Sequence, residues 1–158
     1  MVYLKKKKNK IFLIIVIILL FILAGVRLSK YVLKTVYSPL PTLTVKIAGQ
    51  AIMAEAVNDT ASEYRGLSDR ASLCATCGML FMFNDAAPRE FVMRNMEFPL
   101  DIIFINQHKI IKIAANLPPE GESPKIIYAS DGSADAVLEV NAGYTTKHNL
   151  KIGDYVEY

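Results

Sequence analysis

The chain of 158 residues carries a formal charge of +3, but its charges are divided between two unlike parts. Residues 1–38 contain eight Lys or Arg and no Asp or Glu, whereas residues 39–158 contain ten Lys or Arg and fifteen Asp or Glu. The two parts therefore carry formal charges of +8 and −5. Because phosphate neutralisation dominates affinity for nucleic acid, the acidic part is not expected to bind DNA or RNA.

An uncharged apolar run forms the first predicted element. It extends over sixteen residues from Ile11 to Val26, and five lysines precede it within the first ten residues. As a helix it rises roughly 24 Å, and the flanking Lys10 and Arg27 side chains can snorkel to cover the rest of a hydrocarbon core of about 30 Å. We predict a transmembrane anchor over residues 11–28, with the lipid bilayer as its partner.

Three fates compete for this run: a cleaved signal peptide, a lipoprotein signal and a retained anchor. Cleavage requires small residues in an A-x-A-like pattern, which Leu23-Ala24-Gly25-Val26 does not supply. The same residues nearly form a lipoprotein signal, but Val26 occupies the position where a cysteine thiol would accept the lipid. We therefore predict a retained anchor.

The orientation of the anchor follows from the lysines that precede it. They outnumber the three Lys or Arg of residues 27–34, which places the N-terminus in the cytoplasm by the positive-inside rule. We predict a single-pass protein of the plasma (inner) membrane. Residues 1–10 form its cytoplasmic basic tail, residues 29–42 a juxtamembrane linker, and residues 43–158 an extracytoplasmic domain.

Short strands joined by hairpin-length turns follow the linker. Alternating or continuous apolar residues between turn signals predict nine strands and one or two short helices. The predicted strands are Leu43–Ile47, Ala51–Val57, Met79–Phe83, Arg89–Asn95, Pro99–Ile105, Ile110–Ala115, Lys125–Tyr128, Ala136–Val140 and Tyr155–Glu157, and the predicted helices begin at Thr60 and Ala142. No long βαβ pattern appears, so we predict a compact, mainly β domain, an antiparallel sandwich or a barrel-like sheet.

Two cysteines are the only ones in the chain, Cys74 and Cys77. Outside the cytoplasm, thiols three residues apart usually oxidise, which favours a disulfide that staples a loop. A redox pair would open a helix after a strand, but Cys77 leads into Gly78 and a strand instead. A structural zinc needs four ligands, and the two histidines show no ligand spacing.

Several phrases of the domain occur in the order of one known family. They are RGLSDR (65–70), CGMLFMF (77–83), FVMRNM (91–96), PLDIIFI (99–105), VLEVNAG (137–143) and GD (153–154). From about residue 43 to the C-terminus the chain resembles domain-of-unknown-function family 192 (DUF-192), whose pattern reads roughly RGLMxR, GMLFxF, FWMKNTxxPLDIxFI, VLExxAG and GD. Ser68, Val92, Arg94 and Met96 depart from that pattern.

The resemblance implies a compact, mainly β domain that is often exported or membrane-attached. It implies no established reaction, so we predict no catalytic residue, metal or cofactor. Val92 stands where the family has Trp, which changes one wall of any pocket there.

Polar residues embedded in the predicted strands are the candidate site. Asp101 lies among Leu100, Ile102 and Ile103, and Glu139 lies between Leu138 and Val140. Buried carboxylates need partners, and arginines supply bidentate ones, so structural salt bridges are one interpretation. The other is a pocket for a small polar ligand, an envelope glycan or an envelope protein. The predicted ligand-binding residues are Arg65, Arg94, Asn95, Asp101 and Glu139.

Two alternative functions remain open at this point. Asp101 and Glu139 together have the residue types of a hydrolase acting on the envelope, provided that their separation suits acid–base chemistry. Cys74 and Cys77 lie near several methionines in sequence, and soft sulfur ligands suit Cu(I). Packing in the core is the competing explanation for those methionines, which are Met79, Met82, Met93 and Met96.

Overall fold

The computed structural model describes residues 18–27 and 40–158, and the chain divides into two compact units, residues 1–39 and residues 40–158. In the first unit, residues 18–27 are helical and are called α1. Within the described ranges, no helix combines the length and the apolar character needed to cross a membrane. The predicted tail, most of the linker and residues 11–17 and 28 of the predicted anchor lie outside the described residues, so the anchor stays a prediction.

The second unit is built on a single mixed sheet. Its elements are β1 (Thr42–Ile47), β2 (Gln50–Val57), α2 (Thr60–Arg65), β3 (Cys77–Phe91), β4 (Leu100–Asn106), β5 (Lys109–Leu117), β6 (Tyr128–Asn141), α3 (Tyr144–Lys147) and β7 (Val156–Glu157). The strands lie in the order β5-β4-β6-β3-β2-β1-β7. The prediction of a mainly β domain with short helices is confirmed.

One pair of neighbouring strands is parallel, which corrects the prediction of an antiparallel sheet. β2 and β3 pair in parallel from Met53 opposite Cys77 to Val57 opposite Phe81. The long connection through α2 and the cysteine loop carries the chain back to the starting end of β2, as a parallel pair requires. Hairpin-length turns alone could not have produced this arrangement.

The curvature of the sheet brings its two edges together at one end. The N–H of Ile110 donates to the carbonyl of Asp154 at 3.0 Å, and the N–H of Val156 donates to the carbonyl of His108 at 2.8 Å. Lys109 and Tyr155 also form an isolated antiparallel bridge. The sheet is therefore a curled half-barrel, and the alternative of a sandwich of two sheets is wrong.

Apolar residues cover both faces of the central strands. The first six residues of β4 are buried, with Ile103 and Ile105 in one apolar cluster and Ile102 and Phe104 in another. Residues opposite each other in antiparallel strands share a face. Asp101 lies opposite Val140 of the first cluster, and Glu139 lies opposite Ile102 of the second. We call these sides of the sheet the Asp101 face and the Glu139 face.

Candidate functional site

A cavity of about 480 Å³ opens on the Glu139 face, between α2 and the second half of β3. We call it the Glu139 cavity. Its volume falls within the range of small-molecule sites. Its wall combines three phenyl rings with ionisable groups, namely Phe81, Phe83, Phe91, Glu63, Arg65, Arg89, Glu90, Arg94 and Glu139.

The start and end of α2 are fixed by local backbone chemistry. The carboxylate of Asp59 accepts from the N–H of Ala61 at 3.1 Å and of Ser62 at 3.0 Å, so Asp59 is the N-cap of the helix that begins at Thr60. These hydrogen bonds lower the pKa of Asp59, because they favour its charged form. The helix ends at Gly66, whose φ of 51° favours glycine.

The position of Gly66 also shapes the floor of the cavity. A Cβ at residue 66 would lie 3.6 Å from Cζ of Phe81 and 3.9 Å from Oε2 of Glu139. Both distances are ordinary van der Waals contacts, so the positive φ of Gly66, rather than a lack of space, favours glycine beside the Glu139 carboxyl. The phrase RGL thus has a physical role at the cavity.

Glu139 is the most perturbed group of the site. It is 5% exposed, and within residues 18–27 and 40–158 its Oε2 has no hydrogen-bond partner. Burial raises the pKa of Glu139 to about 8, while the positive charge of Arg70 opposes the rise. A carboxyl group in a cavity whose pKa lies close to neutral pH is a candidate for contact with a ligand.

Arg70 is engaged by a second carboxylate on the same face. It donates to both oxygens of Glu55, at 2.5 and 2.8 Å. Glu55 lies opposite Met79 in β3, and Met79 lies opposite Glu139 in β6, so the two carboxyl groups stand on either side of one methionine. The hydrogen bond from Arg70 lowers the pKa of Glu55, although burial works against it.

Two arginines at the mouth of the cavity stack on aromatic rings. The guanidinium of Arg94 lies 3.7 Å from the centre of the Tyr64 ring and donates to the Tyr64 carbonyl. That of Arg89 lies 3.9 Å from the centre of the Phe83 ring and forms a salt bridge of 2.8 Å with Asp85. Stacking and hydrogen bonding hold both guanidinium planes in place.

Three of the five predicted ligand-binding residues line the same cavity: Arg65, Arg94 and Glu139. Asn95 is not among the lining residues, and its backbone links two loops, since its N–H donates to Gly121 and its carbonyl accepts from Asp69. Its φ of 50° suits asparagine in a turn.

Asp101 lies on the opposite face from Glu139 and is saturated with donors. Its oxygens accept from the N–H groups of Asn116, Gly143 and Thr145 and from the Thr145 hydroxyl, at 2.6 to 3.0 Å. The sheet separates the two carboxyl groups, so the hypothesis of a hydrolase that uses both together is wrong. Asp101 has a structural role, and the salt bridges predicted for it are replaced by neutral donors.

The cysteines form the predicted disulfide, with the two sulfur atoms of Cys74 and Cys77 2.03 Å apart. The amide of Asn141 donates to the carbonyls of Leu73 and Cys74, which ties this loop to the end of β6. Sulfur atoms joined in a disulfide offer no thiolate to a metal.

The methionines are divided between the two faces. Met79, Met93 and Met96 belong to the cluster on the Glu139 face, whereas Met82 packs against the other cluster. In the oxidised protein, the cysteines and methionines of the copper hypothesis therefore do not form one shared set of ligands. Packing accounts for these side chains.

Several cavity residues were missed by the sequence reasoning, notably Tyr64, Phe83 and Arg89. Tyr64 lies on α2. Alternation along β3 could not have grouped Phe83 with Arg89, because the pairing with β6 shifts register between Met82 and Ala87. Their only sequence signal is their place relative to the matched phrases: Phe83 ends the phrase at 77–83, and Tyr64 and Arg89 lie shortly before the phrases at 65–70 and 91–96.

The comparisons agree on the family and on the fold. The family model DUF192, described as "Uncharacterized ACR", matches residues 43–158. A protein of unknown function from Novosphingobium aromaticivorans is 32% identical with a TM-score of 0.72, over 77% of this chain and 88% of that one. A "putative transcription regulator" from Sinorhizobium meliloti is 28% identical with a TM-score of 0.70, over 77% of this chain and 96% of that one.

No curated protein matches the chain. The family model covers well over half of the sequence, and it covers every strand from β2 onwards and nearly all of β1. The phrases that carry the resemblance include Gly66, Arg94 and Glu139 of the cavity. The chain belongs to the DUF192 family.

Proposed function

We propose that the domain is a binding module that holds a small polar ligand in the Glu139 cavity. One observation carries the proposal: a buried carboxyl oxygen, Oε2 of Glu139, has no partner among the described residues and lies in the wall of a cavity of about 480 Å³. Burying a polar atom without a partner costs roughly 1–3 kcal/mol. A ligand that supplies the missing partner offsets that cost.

Asp101 provides the internal comparison that makes the observation informative. The fold supplies four donors to that buried carboxylate, so it has the means to satisfy an acid whose role is structural. For a structural role at residue 139, an apolar side chain of similar size would serve better. Arg65 and Arg94 at the cavity are suited to the polar groups of the same ligand.

We further propose that residues 11–28 anchor this module in the plasma membrane, with the N-terminus in the cytoplasm. The uncharged apolar run and the five lysines before it support the anchor. The disulfide is consistent with an oxidising compartment outside the cytoplasm. The ligand is then a component of the cell envelope, such as part of a glycan or of another envelope protein.

The binding proposal is tested by ligand-observed NMR on the full chain in detergent, with a library of small polar fragments as the probes. Fragments should bind to the wild type and lose most of their signal in Arg94→Ala and Glu139→Gln. Lys46→Ala is the matched control, because Lys46 is exposed on β1 and does not line the cavity. An absence of bound fragments, or fragments that bind all four proteins equally, would contradict the proposal.

The anchor is tested by fractionation of bacterial cells that express the full chain. We expect the protein in the membrane fraction, with residues 43–158 digested by protease added to spheroplasts. The double substitution Ile15→Lys and Ile18→Lys interrupts the apolar run and should abolish membrane retention. Wild-type protein recovered in the soluble fraction, or protected from the protease, would overturn the anchor or its orientation respectively.

A further inference from the structure

Two acids and one arginine lie together beside the Glu139 cavity: Glu139 lines it, whereas Glu55 and Arg70 are not among its lining residues. Glu55 and Glu139 stand on either side of Met79 on one face of the sheet. In the part of the chain that the structure describes, Arg70 is the cation whose charge acts on Glu139, and its guanidinium donates two hydrogen bonds to Glu55. When Glu139 is ionised, two carboxylates therefore share one guanidinium, and one further positive charge would balance them.

The mouth of the cavity is balanced, by contrast. The arginines that line it are Arg65, Arg89 and Arg94, and the acids that line it are Glu63 and Glu90. Asp85 adds a third negative charge through its salt bridge with Arg89. A cation that enters the cavity therefore meets no net positive charge at the mouth.

We propose that the ligand of the Glu139 cavity carries a positively charged nitrogen, an organic ammonium or guanidinium, that binds against Oε2 of Glu139. This inference rests on the proposed binding function and names the chemical class of its ligand. The apolar part of the ligand lies against the phenyl walls formed by Phe81 and Phe91, whose rings are 5.0 Å apart in an edge-to-face contact.

A neutral polyol is the competing class of ligand. A hydroxyl group would satisfy the hydrogen bond of Oε2 while Glu139 stays protonated, so the contact would be one between neutral groups. A charged nitrogen provides both the donor and the missing charge, and charge-assisted hydrogen bonds are roughly twice as strong as neutral ones. The stronger, charge-assisted contact with the ionised Glu139 carboxylate therefore favours the cation.

Binding of a cation has a consequence for the proton on Glu139. Burial raises the pKa of this carboxyl to about 8, so at neutral pH the empty cavity holds the protonated acid. When the ligand binds, the carboxyl proton passes to solvent and the nitrogen of the ligand donates its N–H to the carboxylate. Below about pH 8, affinity should therefore rise roughly tenfold per pH unit.

Two probes of nearly the same shape separate the classes: benzylammonium and benzyl alcohol, each titrated calorimetrically into the full chain in detergent and amine-free buffer. Benzylammonium should bind at least about tenfold more tightly than the alcohol and release a proton, which is seen as dependence of the heat on the buffer. Glu139→Gln should abolish both the preference and the pH dependence. Glu157→Gln, the same change on an exposed acid of β7, should leave them intact.

The outcomes distinguish the two proposals. Equal binding of the two probes, or a preference that survives in Glu139→Gln, overturns the cationic ligand and leaves the binding function in place. If neither probe binds while the polar fragments still do, the cationic ligand is again overturned. If the fragments fail as well, the binding function falls with it. Thermal unfolding of each variant verifies that it is folded.

Discussion

Two carboxyl groups, one on each face of the same sheet, are both buried but differ in the hydrogen bonds that they accept. Asp101 and Glu139 lie on the paired strands β4 and β6, and they are 0% and 5% exposed. Asp101 accepts four hydrogen bonds, whereas Oε2 of Glu139 accepts none within the described residues. The comparison teaches that burial alone does not mark an acid as a candidate for ligand binding. The number of hydrogen-bond donors that the fold supplies to the carboxyl group separates the two acids.

The donors of Asp101 tie distant parts of the fold together. Asn116 lies near the end of β5, and Gly143 and Thr145 lie at the start of α3. Gly143 has no side chain to cap the helix. The Asp101 carboxylate accepts the N–H of Thr145, which a cap side chain would accept, and also the N–H of Gly143 itself. Asp101 therefore fixes α3 and the end of β5 against β4.

Asp101→Ala should have the largest effect on stability. It leaves the partly buried N–H groups of Asn116 and Gly143, and the buried N–H and hydroxyl of Thr145, without an acceptor. We therefore expect a loss of about 4 kcal/mol in the free energy of unfolding. Urea denaturation of the full chain in detergent measures the loss. A change below about 1 kcal/mol would remove the distinction between the two faces.

The stability of the wild type should fall as the pH rises from about 4.5 to about 8. The pKa of Glu139 is raised from 4.5 to about 8 in the folded protein, so the folded state holds a proton in this window that the unfolded state has released. The favourable contribution is complete below pH 4.5 and is lost as the pH rises through 8. Between pH 4.5 and pH 7 the loss is about 3 kcal/mol.

Glu139→Gln tests this pH dependence directly, because glutamine cannot titrate. The free energy of unfolding of the variant, measured by urea titration across the same pH range, should lack the slope that Glu139 contributes. Asp101→Asn is not a suitable control, since it disturbs the donors of α3. Glu157→Gln, on an exposed acid, should retain the wild-type slope. A slope that is identical in Glu139→Gln would show that another group titrates.

Much of the fold could be predicted from local patterns. The predicted strand over residues 43–47 became β1 (Thr42–Ile47), because alternating residues followed by Gly49 define a hairpin. By contrast, two separate strands are predicted where the structure has the single strand β3 (Cys77–Phe91), because the stretch from Asp85 to Pro88 resembles a break between strands. The structure keeps it paired with β6 through two register shifts, which no local pattern signals.

The site was only half predictable for a related reason. Asp101 and Glu139 look alike in sequence, each a carboxylate among apolar strand residues. The donors that satisfy Asp101 come from residues 15, 42 and 44 positions away. Such contacts depend on how β5 and α3 return to β4, and the sequence gives no sign of that path.

Replacing both Cys74 and Cys77 by serine should have a smaller effect than either acid. The disulfide closes a loop of only four residues, for which chain entropy predicts a contribution of about 2 kcal/mol. Thermal unfolding with and without a reductant measures it in the wild type, and the double serine variant should not respond to the reductant. If the pH dependence of unfolding attributed to Glu139 is lost in that variant, then this dependence is set by the loop rather than by Glu139 itself.

Arg70→Met should have the smallest effect on stability and the most specific effect on the cavity. It removes a half-buried salt bridge with Glu55, which we expect to contribute about 1 kcal/mol. Lys46→Met is the matched control, since it removes the exposed pair of Lys46 with Glu157 and should cost less. Urea denaturation compares the two variants.

The decisive readout for Arg70→Met is the pKa of Glu139, followed through the pH dependence of unfolding. Arg70 holds this pKa down, so without it the window of falling stability should extend above pH 8. Lys46→Met should leave the window unchanged. If the window does not move in Arg70→Met, then the charge of Arg70 acts on Glu55 alone. Glu55 and Glu139 are in that case two separate acids rather than two that share one cation.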